Sequence, residues 1–163
     1  MVGGPVTVTP VLASTSMHTF TVSIEINVPL TRVWRALCKP AEVVQWDTGV
    51  CAALDAPADY PQPGQYVRWR YRNGPFRILH DRPQEVVAER TLRSLITVGP
   101  FRFDETYTLE PHRTGCRLSA TMHVSAPLLL GGSLTERLYL GPRTEETVTA
   151  SLQAIKRHCE VLL

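Results

Sequence analysis

Between Thr19 and Val28 apolar and polar side chains alternate, with Phe20, Val22, Ile24, Ile26 and Val28 set against Thr19, Thr21, Ser23, Glu25 and Asn27. A period of two is that of a strand with one buried face. Pro29 has no N–H to give a ladder and ends the strand, Thr31 stands where an N-cap would, and Val33, Trp34 and Leu37 follow at helical spacing. This predicts a long strand, a short helix, and a second short helix closed by Trp46. Gly49 to Leu54 reads as a short strand, and Asp55 to Gly64, dense in proline, aspartate and glycine, as a loop. Gln65 to Tyr71 alternates again. Asn73-Gly74 signals a hairpin because both residues tolerate positive φ; Phe76 to Asp81 returns as the partner strand and Arg82-Pro83 interrupts it. Val86 to Val98 is a long β-branched stretch ended by Gly99-Pro100. Phe101 to Leu109, the turn Pro111 to Gly115, and Cys116 to Ser125 complete six or seven strands at hairpin spacing, which predicts an antiparallel sheet.

The period then changes. Val148, Leu152, Ile155, Cys159 and Leu162 fall at i, i+4, i+7, i+11 and i+14, one stripe of a helix. From Thr144 to Leu162 such a helix extends roughly 28 Å, enough to lie across the sheet. Leu128 to Tyr139 reads as a further helical piece, with Gly131-Gly132 and Gly141-Pro142 as breaks or kinks.

The strand, the Pro-x-x-x-Val-Trp run ending at Trp34, Gln45-Trp46-Asp47, the late strand pair Phe103 to Pro111 and Gly115 to Thr121, and the last helix through Leu152 to Glu160 resemble the START-like superfamily, also called SRPBCC or polyketide cyclase-like. The resemblance covers Thr19 to Leu163. It implies an α+β helix-grip fold, a curved antiparallel sheet of six to seven strands wrapped around a long C-terminal helix, with two short helices after the first strand. It further implies a ligand cavity between sheet and C-terminal helix. The expected organisation is a flexible leader over 1–18, with Met17 as an alternative start, and one ligand-binding domain over 19–163.

Bulk properties narrow the function. A chain of 163 residues with 44% apolar content is sized for one domain and one core. A net charge of +2 is too weak to imply nucleic acid. Arg68, Arg70 and Arg72 alternate onto one strand face, which reads as a solvated face or as a partner-binding stripe. Apolar runs such as Pro127 to Leu130 fall far short of the roughly 20 residues that span a bilayer, and the first residues lack the basic region of a secretory signal. Cys38, Cys51, Cys116 and Cys159 form no Cys-x-x-Cys pair, so a reducing, cytoplasmic setting is expected. His18, His80, His112, His123 and His158 show no metal-binding spacing, and phosphate-loop, dinucleotide and Gly-x-Ser-x-Gly motifs are missing from the chain, so neither metal nor cofactor is expected.

Strand parity indicates the wall of the cavity. Val22, Ile24, Ile26, Val67, Trp69, Tyr71, Phe101, Phe103, Tyr107, Leu109, Leu118, Ala120, Met122 and Val124 share the apolar parity and meet Leu152 and Ile155; Ile78, His80 and Leu92 are added as ligand contacts at the mouth and on the neighbouring strands. Glu105 lies in phase with Phe103 and Tyr107. An unpaired carboxylate there is costly and its pKa rises, which makes Glu105 the candidate polar contact or general base unless a β-bulge turns it to solvent. Arg90, in phase with Leu92, is its candidate partner. Three functions follow as expectations. The first is binding or transport of a hydrophobic small molecule (lipid, polyketide or aromatic). The second is a polyketide cyclase, aromatase or dehydratase in which Glu105, Arg90 or Tyr107 moves protons. The third is a co-chaperone-like interaction module using the arginine row. The expected partner is a hydrophobic small molecule, with a protein partner possible and with neither nucleic acid nor stable membrane insertion.

Overall fold

The alternation at the start of the chain becomes β1 (His18–Ile26), which pairs along its whole length with β7 (Gly115–Ser125), from His18 opposite Val124 to Ile26 opposite Cys116. The computed structural model describes residues 18–161, so 1–17 of the expected leader, including Met17, and Leu162 lie outside the described residues, while His18, the last residue of that leader, belongs to β1. The chain next crosses to the opposite edge of the sheet through α1 (Leu30–Cys38) and α2 (Pro40–Trp46). From there it returns by consecutive hairpins through β2 (Val50–Ala53), β3 (Val67–Tyr71), β4 (Ile78–Val87), β5 (Thr91–Val98) and β6 (Phe101–His112). The result is one seven-stranded antiparallel sheet ordered β1-β7-β6-β5-β4-β3-β2. With two short helices after the first strand and a long one at the end, this is the α+β helix-grip architecture.

Local chemistry explains where the elements differ from the expected boundaries. Helix α1 begins at Leu30 and is entered through Pro29, whose φ of −59° already suits a helix, so Thr31 is not its N-cap. Pro83 does not interrupt β4. The strand runs through it because the register shifts between Pro83 and Glu85, and an irregularity there tolerates a residue without an N–H. The long stretch Val86 to Val98 is two strands, divided by a tight turn in which Glu89 takes a φ of 60°. β-branched residues on both sides conceal that turn in the sequence.

The apolar stripe of α4 (Gly141–Val161) is buried at Val148, Leu152, Ile155 and Cys159. Gly141-Pro142 opens this helix and does not break it. Ahead of it lie a 3-10 turn (Leu128–Leu130), the four-residue α3 (Gly132–Thr135) and a π turn (Glu136–Leu140). The Gly141 N–H reaches back to the Glu136 carbonyl, and this wider turn makes room for the proline ring. At its other end α4 is tied to the end of β1. Lys156 Nζ donates to the Glu25 carbonyl at 2.5 Å, and Glu160 Oε1 accepts the Asn27 N–H at 2.9 Å.

Glu42 joins all three main helices. Its carboxylate meets Arg32 at 2.6 Å and Arg35 at 2.7 Å from α1, and His158 at 3.0 Å from α4. Trp46 donates its indole N–H to the Ala36 carbonyl at 2.9 Å, which fixes α2 against α1.

Two substitutions test this packing by denaturant unfolding. Ile155→Ala, at a fully buried position, is expected to lower stability by about 2–5 kcal/mol. Gly115→Ala would place a methyl 2.0 Å from the Ile26 carbonyl oxygen and force β1 from β7, at an expected cost of about 1–3 kcal/mol or more.

Candidate functional site

Uninterrupted pairing through β5, β6 and β7 keeps one parity on the inner face. Ser94 stands opposite Glu105 and Glu105 opposite Met122, while Leu92, Tyr107 and Ala120 form the next row. With no register shift in these strands, Glu105 faces inward. On β3 and β4 the inner face carries Val67 opposite Asp81 and Trp69 opposite Leu79.

Between this face and the α1–α2 pair lies a pocket of about 70 Å³. That is several times the roughly 10–15 Å³ a water requires, and suits a small ring or the end of a chain. The helices and the chain just after them supply Leu37, Val43, Trp46, Asp47 and Val50. The sheet supplies Trp69, Leu79, Asp81, Leu92, Ser94, Ile96, Glu105 and Tyr107, and the loop before β3 supplies Tyr60. The wall is mostly apolar, with three carboxyls and no arginine or lysine.

Each carboxyl has a distinct setting. Burial pushes Glu105 up to about 8; the Tyr107 hydroxyl opposes that rise, while the charges of Asp47 and Asp81 add to it. Glu105 and Tyr107 retain accessible surface because they face the pocket; on every other side protein encloses them, and that enclosure is what disfavours the ionised form. Asp81 is 5% exposed. Its Oδ2 accepts from the Tyr60 hydroxyl at 2.7 Å and from the Trp69 indole N–H at 3.3 Å, while Oδ1 has no partner among the described residues. Burial raises its pKa, and Tyr60, Ser94 and Trp69 draw it partly back. Asp47 is raised by burial too, against the Gly49 and Val50 N–H groups, the first of which it accepts at 2.8 Å. At neutral pH Glu105 is therefore largely a neutral acid able to donate a hydrogen bond into a greasy pocket. Among the described residues no group of three or more His, Cys, Asp or Glu side chains is arranged to hold a metal ion.

The sequence-derived candidates divide in space. Trp69, Leu92, Glu105 and Tyr107 meet at the pocket. Val67, Met122, Leu152 and Ile155 are buried in the core, with Phe103 packed against it, and none of them lines the pocket. Because α4 lies along β1 and contributes no lining residue, the pocket sits under α1 and α2 and not between sheet and C-terminal helix. Tyr71 pairs with Val50 and packs near Gly49, outside the lining.

Ile78 and His80 lie on the outer face of the sheet and not, as expected, at the pocket. They stand opposite Arg70 and Arg68, and His80 stacks on Tyr66. Two adjacent apolar residues, Ile78 and Leu79, permit either parity, and the inward partner of Leu79 is the charged Asp81, which hides the true phase. Arg90 is exposed in the turn before β5, not in phase on the strand, and so does not pair with Glu105. Asp47, Tyr60, Asp81 and Ser94 were not among the expected site residues. Asp81 and Ser94 become legible once the β4 register is known; Tyr60, within a loop, carries no periodic signal.

Fold and site together define a helix-grip protein with a small, acid-lined, mostly apolar pocket. The family described as "Polyketide cyclase / dehydrase and lipid transport" matches residues 17–160, and the chain belongs to it. This membership supports a hydrophobic ligand-binding role. Among solved structures the chain resembles protein CV1439 from Chromobacterium violaceum, with a TM-score of 0.71, 20% identity, and coverage of 87% of this chain and 96% of that one. Protein MLL2253 from Mesorhizobium loti gives 0.70 at 17% identity, covering 88% and 97% of the two chains. DynU16, a protein of the dynemicin biosynthetic locus, gives 0.63 at 18% identity, covering 87% of this chain and 47% of its own. These likenesses show the shared fold. No curated protein matches the chain in sequence.

The raised Glu105 pKa makes the stability of the fold depend on pH. Its unfolded value is 4.5 and its folded value about 8, so its stabilising contribution is full below 4.5 and is lost as pH rises to about 8. Thermal melts across that window should fall more steeply for the wild type than for Glu105→Gln. Parallel profiles would mean that Glu105 ionises freely.

Proposed function

We propose that this protein binds and carries a hydrophobic small molecule, a lipid, polyketide or aromatic compound, whose polar group meets Glu105 in the pocket beneath α1 and α2. The observation that carries the reading is the Glu105 carboxyl, disposed toward its neutral form and facing walls of Leu37, Val43, Trp46, Leu79, Leu92 and Ile96. A neutral acid in such surroundings is matched by a ligand carbonyl or hydroxyl, and the orphan Asp81 Oδ1 by a ligand donor. The apolar body of the ligand contributes roughly 25 cal/mol per Å² buried. A ligand larger than a small ring requires the Tyr60 loop or α2 to shift outward.

A second reading, a cyclase or dehydratase, draws on one specific feature. A carboxyl pushed by burial up to about 8 beside a tyrosine suits proton transfer to and from an enolisable ketone. In that reading the pocket supplies positioning and Glu105 moves the proton.

Native mass spectrometry of freshly purified protein, followed by thermal-shift screening of lipids, polyketides and aromatic ketones, tests the proposal. A true ligand at one hundred times its dissociation constant should add about 2.7 kcal/mol of stability. Glu105→Leu should weaken it by about 1–3 kcal/mol, whereas Glu105→Gln, which still donates, should retain binding. The carrier reading fails if no retained mass is found and nothing in the panel shifts the melt. If substrates are turned over and Glu105→Gln lowers the rate by about a hundredfold with binding intact, the enzyme reading replaces it.

A further inference from the structure

Three segments come together at one end of the sheet. The register places the β3–β4 loop, the β5–β6 turn and the chain after β7 side by side, through Leu79 opposite Val98, Val98 opposite Phe101, and Arg102 opposite Ser125. The rings of Phe76 and Phe101 meet there at 6.4 Å. Just beyond, the 3-10, α3 and π turns hold leucines out to solvent, with Leu128 88% and Leu129 99% exposed, and Leu134, Leu138 and Tyr139 each more than half exposed. Leucines this bare, contiguous in one segment, are a surface awaiting an apolar partner.

Charge decides which partner. Arg72, Arg77 and Arg137 lie in these segments, with Arg102 at the start of β6 and Arg143 in the first turn of α4, all exposed. The one acid of these segments, Glu136, is buried, and its Oε1 accepts the Ala126 N–H at 2.6 Å. The first exposed carboxylates, Glu145 and Glu146, follow Arg143 in the same helix, so five arginines face two acids. Arg143 lies over the Tyr139 ring at 5.2 Å and donates to its hydroxyl at 2.8 Å, so an aromatic and a cation are presented together beside the leucines.

We propose that this end of the molecule docks on an anionic lipid bilayer, with Leu128, Leu129, Leu134 and Leu138 entering the interface and the arginines meeting lipid phosphates. Exposed leucines with tyrosine and arginine at their edge are the make-up of an interfacial anchor, and each arginine near an anionic surface strengthens partitioning about fivefold. A second copy of the chain is a poorer occupant, because a self-facing contact brings the same arginines against one another. Docking is interfacial, consistent with the finding that no described helix is long and apolar enough to cross a membrane. Docking at this surface is independent of what the pocket binds.

Co-sedimentation of the full chain tests it, with vesicles of phosphatidylcholine alone and of phosphatidylcholine mixed with phosphatidylglycerol. Binding to the anionic vesicles, weakened by salt and near zero on the neutral ones, is expected. Leu128→Ser combined with Leu129→Ser should lower partitioning about tenfold or more, and Arg137→Gln or Arg143→Gln about fivefold each, with unchanged melting because all these side chains are exposed. The proposal is overturned if the chain leaves anionic vesicles in the supernatant, or if the leucine variant binds them as the wild type does. It is overturned equally if light scattering shows a dimer that the leucine variant dissolves and vesicles do not bind, which would assign the surface to a second copy.

Discussion

The structure depends on a single topological constraint: β1 and β2 lie at opposite edges of the sheet, so the chain between them must cross its concave face. Residues 27–49 make that crossing as two short amphipathic helices, α1 and α2, pinned to each other by the Trp46 indole and to α4 by Glu42. The long helix covers the β1 side, where Lys156 and Glu160 tether it. Between a crossover that spans the remaining strands and the strands themselves, short helices cannot fill every gap. The pocket is the space left under them.

That origin explains the character of the pocket. Its ceiling is the apolar stripe of two helices, and its floor is a sheet face whose inner rows are interrupted by Asp81, Ser94 and Glu105. Polar groups placed there are costly unless partnered. Asp81 is satisfied on one oxygen by Tyr60 and Trp69, while Glu105 avoids the cost by favouring its neutral form. Four buried or half-buried cysteines stay outside it; burial pushes the Cys38 thiol up to about 12, which leaves it an unreactive packing group.

The docking surface and the pocket are separate features of one scaffold. The leucine-bearing segment lies where the sheet ends and α4 begins; its short irregular turns are held by the Ala126 N–H donating to Glu136, Leu140 packs against the core, and Leu128, Leu129, Leu134 and Leu138 stay exposed. Among the described residues nothing covers these leucines, so their apolar surface faces outward.

The class of fold is written in the local pattern, since alternation, Asn-Gly and Gly-Pro turns, and a late shift to helical period depend on neighbours only a few residues apart. Glu105 was legible for the same reason, because an uninterrupted parity through Phe103 and Tyr107 survives folding unchanged. Where local signals compete, contacts across the fold settle the outcome. Ile78 against Leu79 left the phase of β4 open until pairing with β3 resolved it, and with it the places of Asp81 and His80. Arg90 fell into a turn that β-branched residues on either side disguised. Tyr60 and Asp47 reach the site from segments without period, and Leu152 and Ile155 leave it because α4 settles along β1. Those outcomes belong to contacts between residues far apart in the chain, whose energies no local pattern records.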